Sequence, residues 1–134
     1  RSLKEISPHE FSPEDIIIRL STSREETADY HTASDVLVCP SIYESVGYVN
    51  LEATAAGIPI IASNTCGIPE FVIDGETGLL FEPENSDDLE RKIRRIRDDN
   101  KLCRHISERQ RKFIERFNVR KNIALTDSIY GGIK

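Results

Sequence analysis

Two carboxylates eight positions apart, Glu44 and Glu52, bracket the segment ESVGYVNLEATAAG at residues 44–57. Gly47 opens a helical stretch between them, Gly57 closes it, and the apolar run Ile58-Pro59-Ile60-Ile61-Ala62 follows at once. A pair of acids can cleave a glycosidic bond when the carboxyl groups stand about 5 Å apart, or about 6.5–9.5 Å for the inverting route. Helical rise alone separates eight residues by about 12 Å, so a close dyad needs the loop to fold back. Two separated acids suit hydrogen bonds to hydroxyl groups at the two ends of one ligand. The helix start between them offers unpaired N–H groups and a positive dipole end to an anion. Gly47 carries no side chain to hold that anion away. Hydroxyls, then phosphate, then hydroxyls is the layout of a nucleotide sugar. The competing reading makes Glu44 a solvated loop acid and Glu52 the partner of a neighbouring cation, and spacing alone does not separate the two.

The elements that position these residues can be read from pattern. Ile16-Ile17-Ile18 reads as a short buried strand. Ser21, Thr22 and Ser23 offer N-caps for a helix over about residues 24–34, with Glu25 and Glu26 in its first turn. Residues 35–39 form a second strand, which Pro40 stops. Residues 41–46 are loop, 47–56 helix and 58–62 a third strand. Residues 69–72 make a short helical turn, 74–78 carry turn chemistry, and 79–81 give a last strand. Beyond Asn85, Leu89, Ile93 and Ile96, then Leu102, Ile106 and Phe113, mark the core-facing stripes of two helices. Residues 1–13 read as an irregular lead-in and 119–134 as a C-terminal helix with a frayed Gly131-Gly132 end.

Strands alternating with helices predict an α/β fold: a partial, Rossmann-like parallel sheet of about four strands, flanked by helices on both faces and followed by C-terminal helices. Ligands of such sheets bind outside the carboxyl ends of the strands, where the loop at residues 40–46 lies. So few strands amount to half of a doubly wound domain and leave one edge unpaired. Residues 1–13 or a second copy of the chain are expected to cover that edge.

Bulk properties narrow the function. The 134 residues suit one domain, and 38% hydrophobic with 31% charged is a globular rather than a disordered composition. No apolar run approaches the ~18 residues of a membrane span, and no signal-peptide pattern opens the chain. The net charge of −5 excludes the basic face of a nucleic-acid binder, so a phosphate must be met locally. Cys39, Cys66 and Cys103 form no CxxC and are odd in number, which reads as reduced thiols in a cytoplasmic protein. His9, His31 and His105 lack ligand spacing. Asp87-Asp88 and Asp98-Asp99 read as a helix start and a solvated helix face, so no metal site is expected. The cationic run Arg91, Lys92, Arg94, Arg95, Arg97 reads first as a solvated helix back. Arg1 opens the chain and no Met occurs, as in a piece of a longer protein.

From about Ile16 to Phe117 the chain resembles the C-terminal half of a retaining GT-B glycosyltransferase, of the large family with the Glu–seven residues–Glu motif. The matching pieces run in order: ASDVLVCPSIYESVGYVNLEATAAGIPIIAS, CGIPEFVIDGETGLLF and ERF. The resemblance implies a nucleotide-sugar donor, no metal and no other cofactor. It implies that Glu44 is the catalytic residue, facing the transferred sugar and its hydroxyls, and that Glu52 holds the ribose. It places Ser45, Val46, Gly47 and Tyr48 at the sugar and diphosphate, and Pro40 and Ser41 at the turn into the site. Pro69, Glu70, Thr77 and Gly78 shape the pocket. Val46, Thr54 and Cys66 stand where the family often has Phe, Met and Gly. The Arg and Lys that grip the diphosphate belong upstream of Ile16 and have no counterpart here. The acceptor-binding N-terminal domain is also missing, so the chain alone is expected to bind donor weakly and transfer nothing. Some members of the family dock on membranes, which adds a weak lipid-headgroup contact as a second reading of the cationic run. A non-catalytic nucleotide-binding or partner-interaction module on the same fold is the alternative. A phosphorylase needs a cofactor-bearing lysine, and no Lys occurs between residues 5 and 91.

Overall fold

Three short strands, all parallel, lie side by side in chain order: β1 (Leu37–Cys39), β2 (Ile60–Ser63) and β3 (Leu79–Phe81). The structure, a computed structural model, describes residues 16–20, 22–45, 47–118, 120, 123, 124 and 128. Val38 stands beside Ile61 and Ile61 beside Leu79, while Cys39, Ala62 and Leu80 form the next row. Side chains alternate between the faces of a sheet, so these rows point opposite ways. The Cys39–Ala62 face packs with Ile60 against Val49 and Ala53 of α2 (Tyr48–Ala56), and against Ile68 and Val72. The Ile61–Leu79 face packs with Phe81 against Ile96 of α3 (Ser86–Asp98) and Ile106 of α4 (Asn100–Ile114). Ile60 and Ile61 are wholly buried, and full burial of each such side chain stabilises the fold by about 1.5–3 kcal/mol.

Local chemistry sets the helix ends. α1 (Arg24–Ala33) opens with a capping box: Glu26 N–H donates to Ser23 Oγ at 3.1 Å and Ser23 N–H to Glu26 Oε2 at 2.8 Å. Asn85 caps α3 by accepting from Asp88 N–H at 3.0 Å. The Asp88 carboxylate accepts from Glu82 N–H at 2.8 Å, and that bond, with Lys92 and Arg91 nearby, holds its carboxyl below the usual range. Asp99 accepts from the N–H groups of Lys101 and Leu102 at the start of α4. Asp98 and Asp99 therefore mark a helix–helix junction rather than a solvated helix face. α4 ties back to the sheet: Gln110 Nε2 donates to the carbonyls of Ile58 and Thr77 at 2.9 Å, and Ser107 Oγ to Gly57 O at 2.8 Å.

Several sequence expectations need correction. Ile16, Ile17 and Ile18 form no strand and are 43, 69 and 56% exposed, so the described sheet has three strands rather than about four. An apolar triplet becomes a strand only beside a partner. In doubly wound sheets, strands consecutive in the chain across the switch point are not neighbours. The second strand of the pattern runs from Leu37 and the third from Ile60, since Pro59 cannot donate to a ladder. Ile93 is solvent-facing, because the stripe of α3 narrows to Leu89 and Ile96. No strand among the described residues pairs with the outer edge of β1. The expected cover, residues 1–13, lies outside those residues, as do Val46 and most of the proposed helix and tail at 119–134. Arg91, Lys92, Arg94 and Arg97 of the cationic run each face a carboxylate, on Asp88, Asp74, Glu90 and Asp98. No helix among the described residues is long and apolar enough to cross a membrane.

Candidate functional site

The chain leaves β1 at Cys39 and enters α2 at Tyr48, so the loop between them lies at the carboxyl end of the sheet. Three bonds from the end of β2 and the loop after it hold it. Ser63 Oγ donates to Ser41 O, Thr65 Oγ1 to Ile42 O at 3.2 Å, and Gly67 N–H to Glu44 O at 3.2 Å. The two loops press together so closely that a Cβ on Gly67 would stand 1.9 Å from the Ser45 carbonyl oxygen. Cys66, just before it, takes φ +47°, a conformation that favours glycine.

Gly47 is the N-cap of α2, at φ +64°, and no side chain caps this end. Its first turn holds no acid. Asn50 N–H is taken by Gly47 O at 2.8 Å, and the N–H groups ahead of it, at the positive pole of the helix, have no partner within the helix. A Cβ on Gly47 would meet Asn50 Nδ2 at 2.6 Å and Glu44 Cγ at 3.3 Å, so Glu44 folds back over the helix start. Asn50 is fully buried with both amide atoms unpartnered. Glu52 lies farther along α2, its side chain 50% exposed, with its Oε2 3.7 Å from His31 Nε2.

The loop with Glu44 and Ser45 and the start of α2 with Gly47 and Tyr48 form one shelf at the carboxyl end of the sheet; Glu52 lies one turn past Tyr48, Pro40 and Ser41 open the loop, and Pro69 and Glu70 lie in the 3-10 turn Ile68–Glu70. Thr77 and Gly78 stand elsewhere. They precede β3, at the amino end of the sheet, where Thr77 Oγ1 joins Ile73 N–H and Phe71 O. A Cβ on Gly78 would crowd Val72 Cγ1 and Ile60 O, at 2.7 and 2.8 Å, which explains its glycine by packing. Tyr48 is 71% exposed, and Ile42 and Tyr43 of the preceding loop are exposed as well. Two hollows lie away from the shelf. One, of about 130 Å³, sits among Ile73, Thr77, Phe113 and Arg116. The other, of about 720 Å³, runs along Asp35, Pro59, Cys103, Ser107 and Arg111. No group of three or more potential metal ligands occurs among the described residues.

Sequence reasoning missed Ser63, Thr65 and Gly67, which clamp the loop, and Asn50 and His31, which lie behind the two acids. Gly67 was visible as a glycine between a turn and a proline. Nothing local marked Asn50 or His31, because their burial depends on elements distant in the chain.

The profile for glycosyl transferases group 1 matches residues 2–113. A D-inositol 3-phosphate glycosyltransferase from Streptomyces bingchenggensis is 37% identical over 86% of this chain and 25% of its own length. An alpha-maltose-1-phosphate synthase from Mycolicibacterium smegmatis is 52% identical over 42% of this chain and 14% of its own. Among solved structures, sucrose-phosphate synthase from Thermosynechococcus elongatus superposes with a TM-score of 0.72 at 36% identity, over 81% of this chain and 27% of that one. HepE of Anabaena, solved in complex with UDP-glucose, superposes with a TM-score of 0.69 at 25% identity, over 78% and 30%. The chain thus spans about a quarter of the length of the first of these curated relatives. Profile, relatives and fold agree: this chain belongs to the group 1 glycosyltransferases and corresponds to part of their C-terminal GT-B domain.

Proposed function

We propose that this chain is the donor-binding portion of a retaining glycosyltransferase that moves a sugar from a nucleotide sugar to an acceptor hydroxyl. The bare start of α2, set between Glu44 and Glu52 at the carboxyl end of the sheet, carries this reading. In it, the first N–H groups of α2 meet the diphosphate, Glu44 accepts from hydroxyls of the sugar and Glu52 from those of the ribose. As the bond from the anomeric carbon to the diphosphate oxygen breaks, the acceptor hydroxyl oxygen bonds to the same face of that carbon and its proton passes to the departing diphosphate oxygen. Preorganised N–H donors stabilise the charge that develops on the departing diphosphate. No cofactor enters the scheme, since the nucleotide sugar is itself a substrate. That HepE was solved with UDP-glucose supports this class of donor.

Acceptor binding belongs, on this reading, to the sequence its relatives have outside the matched quarter. The open edge of β1 fits further strands of the same domain or a second copy. A cytoplasmic location, with at most a weak contact to a membrane surface, completes the proposal. One observation favours a binding module for the chain taken alone: residues 25–90 contain no Lys or Arg to grip a diphosphate. Titration of the chain with a panel of nucleotide sugars, read by chemical shift, tests the proposal. Weak binding that perturbs residues 44–52, and no sugar transfer, is expected. Absence of binding, or shifts confined to another surface, overturns the donor site.

A further inference from the structure

Glu52 has a neighbour that the family motif does not contain. His31, on the face of α1 turned toward α2, is only 7% exposed. Its Nε2 has no hydrogen-bond partner among the described residues. That nitrogen lies 3.7 Å from Glu52 Oε2, just beyond a hydrogen bond, and among the described residues Glu52 is the one carboxylate within ion-pair distance of it. A buried ring nitrogen without a partner is unfavourable, and here a small side-chain rotation toward Glu52 relieves it. Glu52 is long, half-exposed and, on its own, free to sample many rotamers.

We propose that His31 is a positioning residue for the ribose end of the donor site. This rests on the reading of Glu52 as the ribose-binding acid. Nε2–H donates to one carboxylate oxygen of Glu52 and fixes the side chain, while the other oxygen accepts from a ribose hydroxyl. Holding one flexible side chain before the ligand arrives is worth about three- to ten-fold in affinity. The gain falls only on ligands that carry the hydroxyls.

The test compares UDP, ADP and GDP with their 2′,3′-dideoxy counterparts, titrated into the wild-type chain and into the His31→Phe, His31→Asn, His31→Gln and Glu52→Ala variants. Phe fills the volume without a donor, Asn is too short to reach, and Gln can restore an N–H. The wild type should prefer a ribonucleotide to its dideoxy form. His31→Phe and His31→Asn should cut that preference about three- to ten-fold without weakening the dideoxy form. His31→Gln should keep it, and His31→Phe on top of Glu52→Ala should add nothing. A purely structural His31 would weaken both ligand classes alike and leave the ratio intact, which overturns the inference while the donor site stands. A wild type that binds without preference overturns the ribose role of Glu52, and one that binds no nucleotide overturns the donor site itself; either removes the inference.

Discussion

α2 and α3 both begin just past the carboxyl end of a strand, α2 after β1 and α3 after β3. At α3 the junction is closed by its own residues. Asn85 caps the helix, Asp87 and Asp88 occupy the first turn, and Asp88 reaches back to Glu82 N–H. At α2 the longer loop ends in a glycine at φ +64°, with no capping side chain and no acid. A capping side chain is worth about 1 kcal/mol, and an acid in the first turn about 0.3–1 kcal/mol. Selection for stability alone would favour the α3 arrangement at both places. The bare junction is the one held from the side by Ser63 at the end of β2 and by Thr65 and Gly67 of the loop after it. Shape at α2 is thus maintained from the side, and its first turn is left without a side-chain cap.

The largest effect expected of any single change is at that lateral support. Gly67→Ala drives a methyl group into the Ser45 carbonyl and should lower stability by on the order of 3 kcal/mol, seen in urea unfolding, with nucleotide binding lost. Next, Tyr48→Glu gives α2 the kind of charge that α3 has. Tyr48 is largely exposed, so the melting temperature should hold or rise, while nucleoside diphosphate affinity falls about ten-fold by calorimetry. An unchanged affinity would mean that the two helix starts do not differ in function. Asn85→Ala should give the opposite pattern: about 1 kcal/mol of stability lost and nucleotide affinity unchanged. Smallest is Cys66→Gly, which relieves a left-handed residue against the added chain entropy of glycine. It should stabilise by about 0.5 kcal/mol in the same urea assay.

The helix between two glycines, the strand after it and the acids before and within it were legible because each is encoded within a few residues. The same holds for α3, where the Asn85 cap and the Leu89–Ile96 stripe are local signals. Ile16–Ile18 misled because a strand is a pairwise object, and hydrophobicity reports burial only when a neighbour exists to bury against. Thr77 and Gly78 were grouped with the site by motif order, yet parallel strands put a residue before β3 at the end opposite one after β1. His31 looked like any isolated histidine. Only the packing of α1 against α2 brings it to Glu52.

Ser107 and Gln110 of α4 act on the chain just past the far end of α2. Their donors occupy the carbonyls of Gly57 and Ile58, between the helix and β2. The passage from α2 into β2 is thereby anchored by a helix that lies elsewhere in the chain. A hydroxyl and an amide some fifty residues downstream thus set where α2 hands over to the sheet, and a change at either would shift the helix as a body without approaching its first turn.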